Sequence, residues 1–184
     1  MGSYDVLNTY KEKIKKMFLQ NQDLQKLIYY NVDNPLAQPN LLNPNVLFKG
    51  ETTTVNGEVE RKEPKILFKG KNYKTIQEQN IFLLIEFLDA PIYKSTAFKE
   101  YQIMITIACH NELLELADGS SRTLLILDKI DDYLNGNKHL GLNKAKNAGT
   151  KKIEINDSYD GLRIIFTTNS RSMNYRNENG WFLW

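Results

Sequence analysis

Lys99-Glu100-Tyr101-Gln102-Ile103-Met104-Ile105-Thr106-Ile107-Ala108-Cys109-His110 decides the fold. Successive side chains of an extended chain point to opposite faces. Tyr101, Ile103, Ile105, Ile107 and Cys109 therefore share one face, and Gln102, Met104, Thr106, Ala108 and His110 share the other. Upstream, Asn80 to Leu88 is apolar apart from Glu86, and turn formers bound it at Asn80 and at Asp89-Ala90-Pro91. That length and those bounds predict a buried strand. The link from Pro91 to Phe98 is short enough for an antiparallel pair.

Downstream, Ser121 to Asn135 predicts a helix, with Leu124, Leu127, Ile130 (or Leu125) and Leu134 as its apolar stripe. Gly136 is placed to close it with positive φ. Asn135 to Gly149 is rich in Gly, Asn and Lys and predicts a loop. Lys151 to Ile155 and Leu162 to Thr168 then predict a hairpin around Asp157-Ser158-Tyr159-Asp160-Gly161.

Toward the N-terminus, Val6, Tyr10, Ile14, Phe18, Leu24, Leu27 and Ile28 recur at helical spacings, which predicts one helix over 5–30. Three prolines and four asparagines between Asn31 and Pro44 bar its continuation. Leu47-Phe48-Lys49-Gly50 recurs as Leu67-Phe68-Lys69-Gly70 and predicts two short strands. Between the copies, Asn56-Gly57 sits among β-formers, the strongest short-range hairpin signal. Together these elements predict an α+β fold: one mainly antiparallel sheet, two helices packed on one face, and a β-hairpin arm projecting from residues 45–70. A single domain of 1–184 accommodates them, with a core over 80–170 and a tail over 171–184.

Charge and motifs exclude several functions. Lys plus Arg total 24 and Asp plus Glu 22, so no concentrated basic composition argues for nucleic-acid binding. The longest apolar run, Ile81 to Ile85, is too short for a membrane span. Met1-Gly2-Ser3-Tyr4-Asp5 has no signal-peptide pattern, and Val6 stands where a myristoylation motif wants Ser or Thr. Cys109 and His110 are strand neighbours on opposite faces, which does not make a nucleophile–base pair. With His139 they have no metal-ligand spacing. Asp128, Asp131 and Asp132 share a helix face at i, i+3 and i+4, and read as a solvated face beside Lys129. Glu154, Asp157 and Asp160 cluster at a turn, the least remote candidate for a metal-dependent nuclease, but turn chemistry explains them better. No phosphate-cradling glycine loop is present. No catalytic residue, cofactor or metal is expected.

Interface chemistry remains. Thr53, Val55, Asn56, Gly57 and Val59 lie on the arm, and such extensions pair with sheet edges of other chains. Trp181, Phe182 and Trp184 follow a polar stretch, and large aromatics of this kind fold onto their own core or anchor a partner. A cellular adaptor binding one partner through the arm and tail is an alternative reading.

The order of strands Ile81 to Leu88 and Tyr101 to Cys109, helix Ser121 to Asn135 and hairpin Tyr159-Asp160-Gly161-Leu162 resembles tail terminator proteins of tailed phages. The opening helix followed by Asn34-Pro35-Leu36-Ala37-Gln38-Pro39 is similar to neck, or head–tail joining, proteins. The resemblance covers residues 5–30 and 80–170 and leaves the arm unmatched. It implies a virion ring at the capsid–tail junction, a hexamer foremost and a dodecamer if portal symmetry is followed. Portal, neck and tail tube or sheath proteins would be its partners, and DNA would pass through without specific contact. Asp128, Asp131 and Asp132 become a candidate channel lining. Such a protein resides in the virion and, during assembly, in the host cytoplasm.

Overall fold

The computed structural model describes residues 3–55, 58–68, 78–89, 98–138, 140 and 144–171. Among these residues four α-helices, α1 (Ser3–Gln20), α2 (Gln22–Tyr29), α3 (Val46–Lys49) and α4 (Arg122–Leu134), accompany seven strands. β1 (Glu51–Val55) and β2 (Glu58–Lys62) form a two-stranded sheet of their own. β3 (Ile66–Leu67), β4 (Ile81–Asp89), β5 (Phe98–His110), β6 (Lys146–Asn156) and β7 (Tyr159–Arg171) form a five-stranded sheet in the order β3-β4-β5-β7-β6. Every neighbouring pair is antiparallel except β3–β4.

β5 occupies the centre, as its alternation predicts. It pairs with β4 from Tyr101 to Cys109 and with β7 along its full length. Tyr101, Ile103, Ile105, Ile107 and Cys109 all enter the main core. Their ladder partners Ile81, Leu83 and Ile85 on β4, and Ile164 and Phe166 on β7, lie on the same face. Tyr10, Ile14 and Phe18 of α1, Leu24, Leu27 and Ile28 of α2, and Ile126, Ile130 and Leu134 of α4 complete that core. The helices therefore share one face of the sheet, as an α+β layer arrangement requires. On the reverse face Phe82, Ala108 and Tyr159 make a smaller buried cluster.

Four expectations need correction. The helix over 5–30 is two helices. Asn21 leaves helical geometry at φ −99° and ψ 97°, and its Oδ1 accepts from Leu24 N at 2.9 Å. Gln25 Nε2 closes α1 by donating to Phe18 O and Leu19 O. The apolar phase survives this break, so periodicity does not show it. Leu47-Phe48-Lys49 forms the turn α3 rather than a strand, although its echo at Leu67 is a strand. The stripe of α4 runs through Ile126, Ile130 and Leu134, while Leu124 is 56% exposed. Finally, β6 begins at Lys146, inside the expected loop. The closure of α4 agrees with expectation: Ser121 and Asn135 flank it and Gly136 has φ 74°.

Candidate assembly surfaces

The arm is rooted through a glycine and a lysine. Gly50 follows α3 with φ 76°, a region that L side chains rarely adopt. A Cβ there would sit 2.3 Å from Lys62 O, so β2 packs directly on the Gly50 backbone. Beyond β2 the chain returns at Lys65. Its N–H donates to Leu47 O and its carbonyl accepts from Leu83 N, which starts the parallel β3–β4 contact. The Lys65 ammonium donates to Ile28 O at 3.1 Å, Tyr29 O at 2.8 Å and Asn31 Oδ1 at 2.9 Å. Burial, then the positive charges of Arg122 and Lys62, lower its pKa from 10.5 to about 8.

Arg122 does a related job from the other side. Fully buried at the start of α4, it donates to Tyr30 O at 2.8 Å and to Val32 O. Two cations thus occupy carbonyls at and just beyond the C-terminus of α2, where the helix dipole favours positive charge. Cys109 lies buried near both. Burial pushes its thiol up to about 12, against the pull of Arg122 and Lys65. His110 points the other way, stacks edge-on against Tyr159 and caps the following turn through Nδ1. The adjacent pair therefore forms no nucleophile–base contact.

From this root β1 and β2 run in register, with Thr53 opposite Glu60, Thr54 opposite Val59 and Val55 opposite Glu58. That register leaves Asn56-Gly57 as a two-residue connection, and both residues lie outside the described ones. All of β2 is exposed, and Val59 is 70% exposed. Trp181, Phe182 and Trp184, and His139 of the expected loop, also fall outside the described residues.

Beside the arm's root, the echoed segments meet. Phe48 stacks on Phe68 at 6.1 Å, and Phe68 on Phe87 at 6.3 Å. Lys15 and Lys11 of α1 sit over Phe48 and Phe68 at 5.7 and 5.3 Å. Together with Lys49 they line an open cleft of about 300 Å³. A larger cleft of about 570 Å³ lies beyond the start of α4, between Glu115, Ser120, Thr123, Lys152 and Asp160.

The acidic residues do not act as one set. Asp131 accepts from Asn135 and, at 2.8 Å, from Asn147, tying the end of α4 to the start of β6. Asp128 and Asp132 are exposed. Asp160 pairs with Lys152 at 2.9 Å across the β6–β7 ladder. Asn156 Oδ1 accepts from Ser158 N, and the Asp157 carbonyl accepts from Asn111, as turn chemistry expects. Among the described residues no group of three His, Cys, Asp or Glu side chains is placed to hold a metal ion. No helix among them is long and apolar enough to cross a membrane.

β6 forms the far edge of the large sheet. It pairs only with β7 among the described strands, and its side chains from Lys146 to Lys152 are exposed. The ladder slips between Asn147 and Gly149, so Lys146 lies opposite Thr167 and Lys151 opposite Arg163. A bulge of this kind inserts an unpaired residue. Here it brings Lys146 and Lys151 to the same face.

Fold and surfaces together define an α+β protein built on one five-stranded sheet that carries a two-stranded arm. A family model described as YomW matches residues 21–168, most of the chain and all of the five-stranded sheet up to the last residues of β7. The chain belongs to the YomW family. The family name is a Bacillus prophage one, which associates the chain with phage and does not specify a place in the particle. No curated protein matches the chain.

Proposed function

We propose that this chain is a structural protein of the phage head–tail junction, a ring component that ends the tail tube or joins the tail to the capsid connector. It works through contacts between polypeptides, without catalysis. The observation that carries this reading is the arm. β1 and β2 ladder only with each other among the described strands, and all of β2 faces solvent. A two-stranded hairpin is marginal in water and gains stability when another chain completes it. The phage association of the family supplies the setting.

One head-to-tail contact, repeated around an axis, closes a ring. A hexamer fits a tail terminator, and a dodecamer fits a protein that follows portal symmetry. Portal, neck and tube or sheath proteins are the neighbours in either case. DNA passes through the ring without specific contact, in keeping with a net charge of +2. Asp128 and Asp132 remain the acidic pair for a channel wall, since Asp131 is engaged with Asn147. The protein resides in the virion and, while particles form, in the host cytoplasm.

Mass spectrometry of purified particles tests the reading. Recovery of this chain in fixed proportion to portal and tail proteins supports it. Particles that contain those proteins and lack this chain overturn it.

A further inference from the structure

We infer that the arm of one copy adds to the outer edge of β6 on the next copy, with Glu58 and Glu60 meeting Lys146 and Lys151. The inference rests on the assembly reading above and names the surface that receives the arm.

Edge geometry motivates it first. β6 is eleven residues long, contains no proline and has a ladder partner on one side only among the described strands. Near its start the Asn147 and Gly149 N–H groups are taken by Asn135 Oδ1 and Asn147 Oδ1, and past the bulge the edge offers backbone N–H and C=O groups to an extended segment. Exposed lysines on an edge strand discourage indiscriminate pairing. They also make the edge selective, because an incoming strand must bring negative charge to sit opposite them.

Charge complementarity selects the arm as that strand. Glu58 and Glu60 are the charged residues nearest the turn, and both are exposed. Arg61 and Lys62 lie toward the root. Glu58 and Glu60 are two residues apart, so they project from one face of β2. On the receiving edge, the bulge at Asn147/Gly149 puts Lys146 and Lys151 on one face as well, four ladder rows apart against two for the glutamates, so the long lysine side chains lean inward to reach both. Residues 144–154 hold Lys144, Lys146, Lys151 and Lys152 against Glu154 alone, so the edge is basic where the arm tip is acidic. Arm and edge are different surfaces of the same chain. The contact is therefore heterologous, the kind that propagates around a ring rather than stopping at a dimer.

Reciprocal charge reversal tests this in the full chain. One variant carries Glu58→Lys with Glu60→Lys, and the other carries Lys146→Glu with Lys151→Glu. All four sites are solvent-facing, and circular dichroism checks that both variants fold. Light scattering after size separation reads the mass of each variant and of their equimolar mixture. The expected result is assembly of the wild type, at least tenfold weaker assembly of each variant, and recovery in the mixture. In the mixture every reversed arm finds a reversed edge, and every native arm a native one. If both variants assemble like the wild type, the inference falls and the assembly reading stands on some other surface. Variants that lose assembly and are not rescued by mixing also overturn it. A wild type that stays monomeric at its highest soluble concentration overturns it outright, and absence from particles would remove the assembly reading as well.

Discussion

Replacing Lys65 with methionine should change how stability depends on pH. Lys65 anchors the chain where the arm rejoins the sheet, and its ammonium faces three oxygen acceptors. Burial still outweighs them and lowers its pKa from 10.5 to about 8. A depressed folded-state pKa adds stability that is fully present above the unfolded value and is lost as pH falls through the folded one. Stability should therefore rise with pH between 8 and 10.5. From pH 7 to pH 9 the linkage relation gives a gain of about 1–2 kcal/mol. Cys109 opposes it. Its thiol is pushed up from 9.0 to about 12, so its contribution is present below 9 and is lost as pH climbs toward 12. At pH 9 that loss is a small fraction of the gain, because only about half of the unfolded thiol is ionised there. The wild type should gain about 1 kcal/mol between pH 7 and 9 by these terms. Lys65→Met should abolish the gain and leave a slight fall. Urea denaturation followed by far-ultraviolet circular dichroism at pH 7, 8 and 9 measures both curves. A wild type whose stability is flat or falling over this window would refute the reasoning. So would a Lys65→Met protein that keeps the rise.

Other consequences are simpler. Gly50→Ala forces a positive φ on alanine and drives its Cβ into Lys62 O, so it should cost about 2–3 kcal/mol and expose the arm to limited proteolysis between β1 and β2. Arg122→Met removes the donor from Tyr30 O and Val32 O, and a loss of about 3 kcal/mol in urea denaturation is expected. Asn21→Ala deletes the cap of α2 and should cost about 1 kcal/mol, with hydrogen exchange rising first in the α1–α2 junction.

The legible parts of the fold are those where one physical signal had no competitor. Tyr101 to Cys109 alternate because β5 has neighbours on both edges and a core on one face, and β5 is the central strand. Gly136 marks the end of α4 because a left-handed stop is local chemistry, whereas Ser121 precedes the helix without a side-chain cap. The stripe of α4 is harder to read. Leu124-Leu125-Ile126-Leu127 is a continuous apolar run that fits several helical phases, and packing against the sheet selects Ile126. Leu47-Phe48-Lys49 lies in a helical turn whereas Leu67, which opens the second copy, ends a short strand, so tertiary contacts override the local sequence there. The outer half of β6 escaped because a strand exposed to water needs no apolar alternation.

The arm is legible in Asn56-Gly57, whereas its anchor is not. Lys65 and Arg122 are held mainly by backbone carbonyls, which every residue possesses, so no sequence pattern announces a buried cation of this kind. The shared face of Lys146 and Lys151 depends on a bulge, and Gly149, with φ 139°, marks the slip only once β6 is known to run through it.

Native mass spectrometry of the full-length chain at micromolar concentration addresses self-assembly most directly. A closed species of six or twelve copies, with few open intermediates, is the predicted spectrum. A spectrum of monomers that persists when purified tails and connectors are added, with no complex formed, would contradict the account.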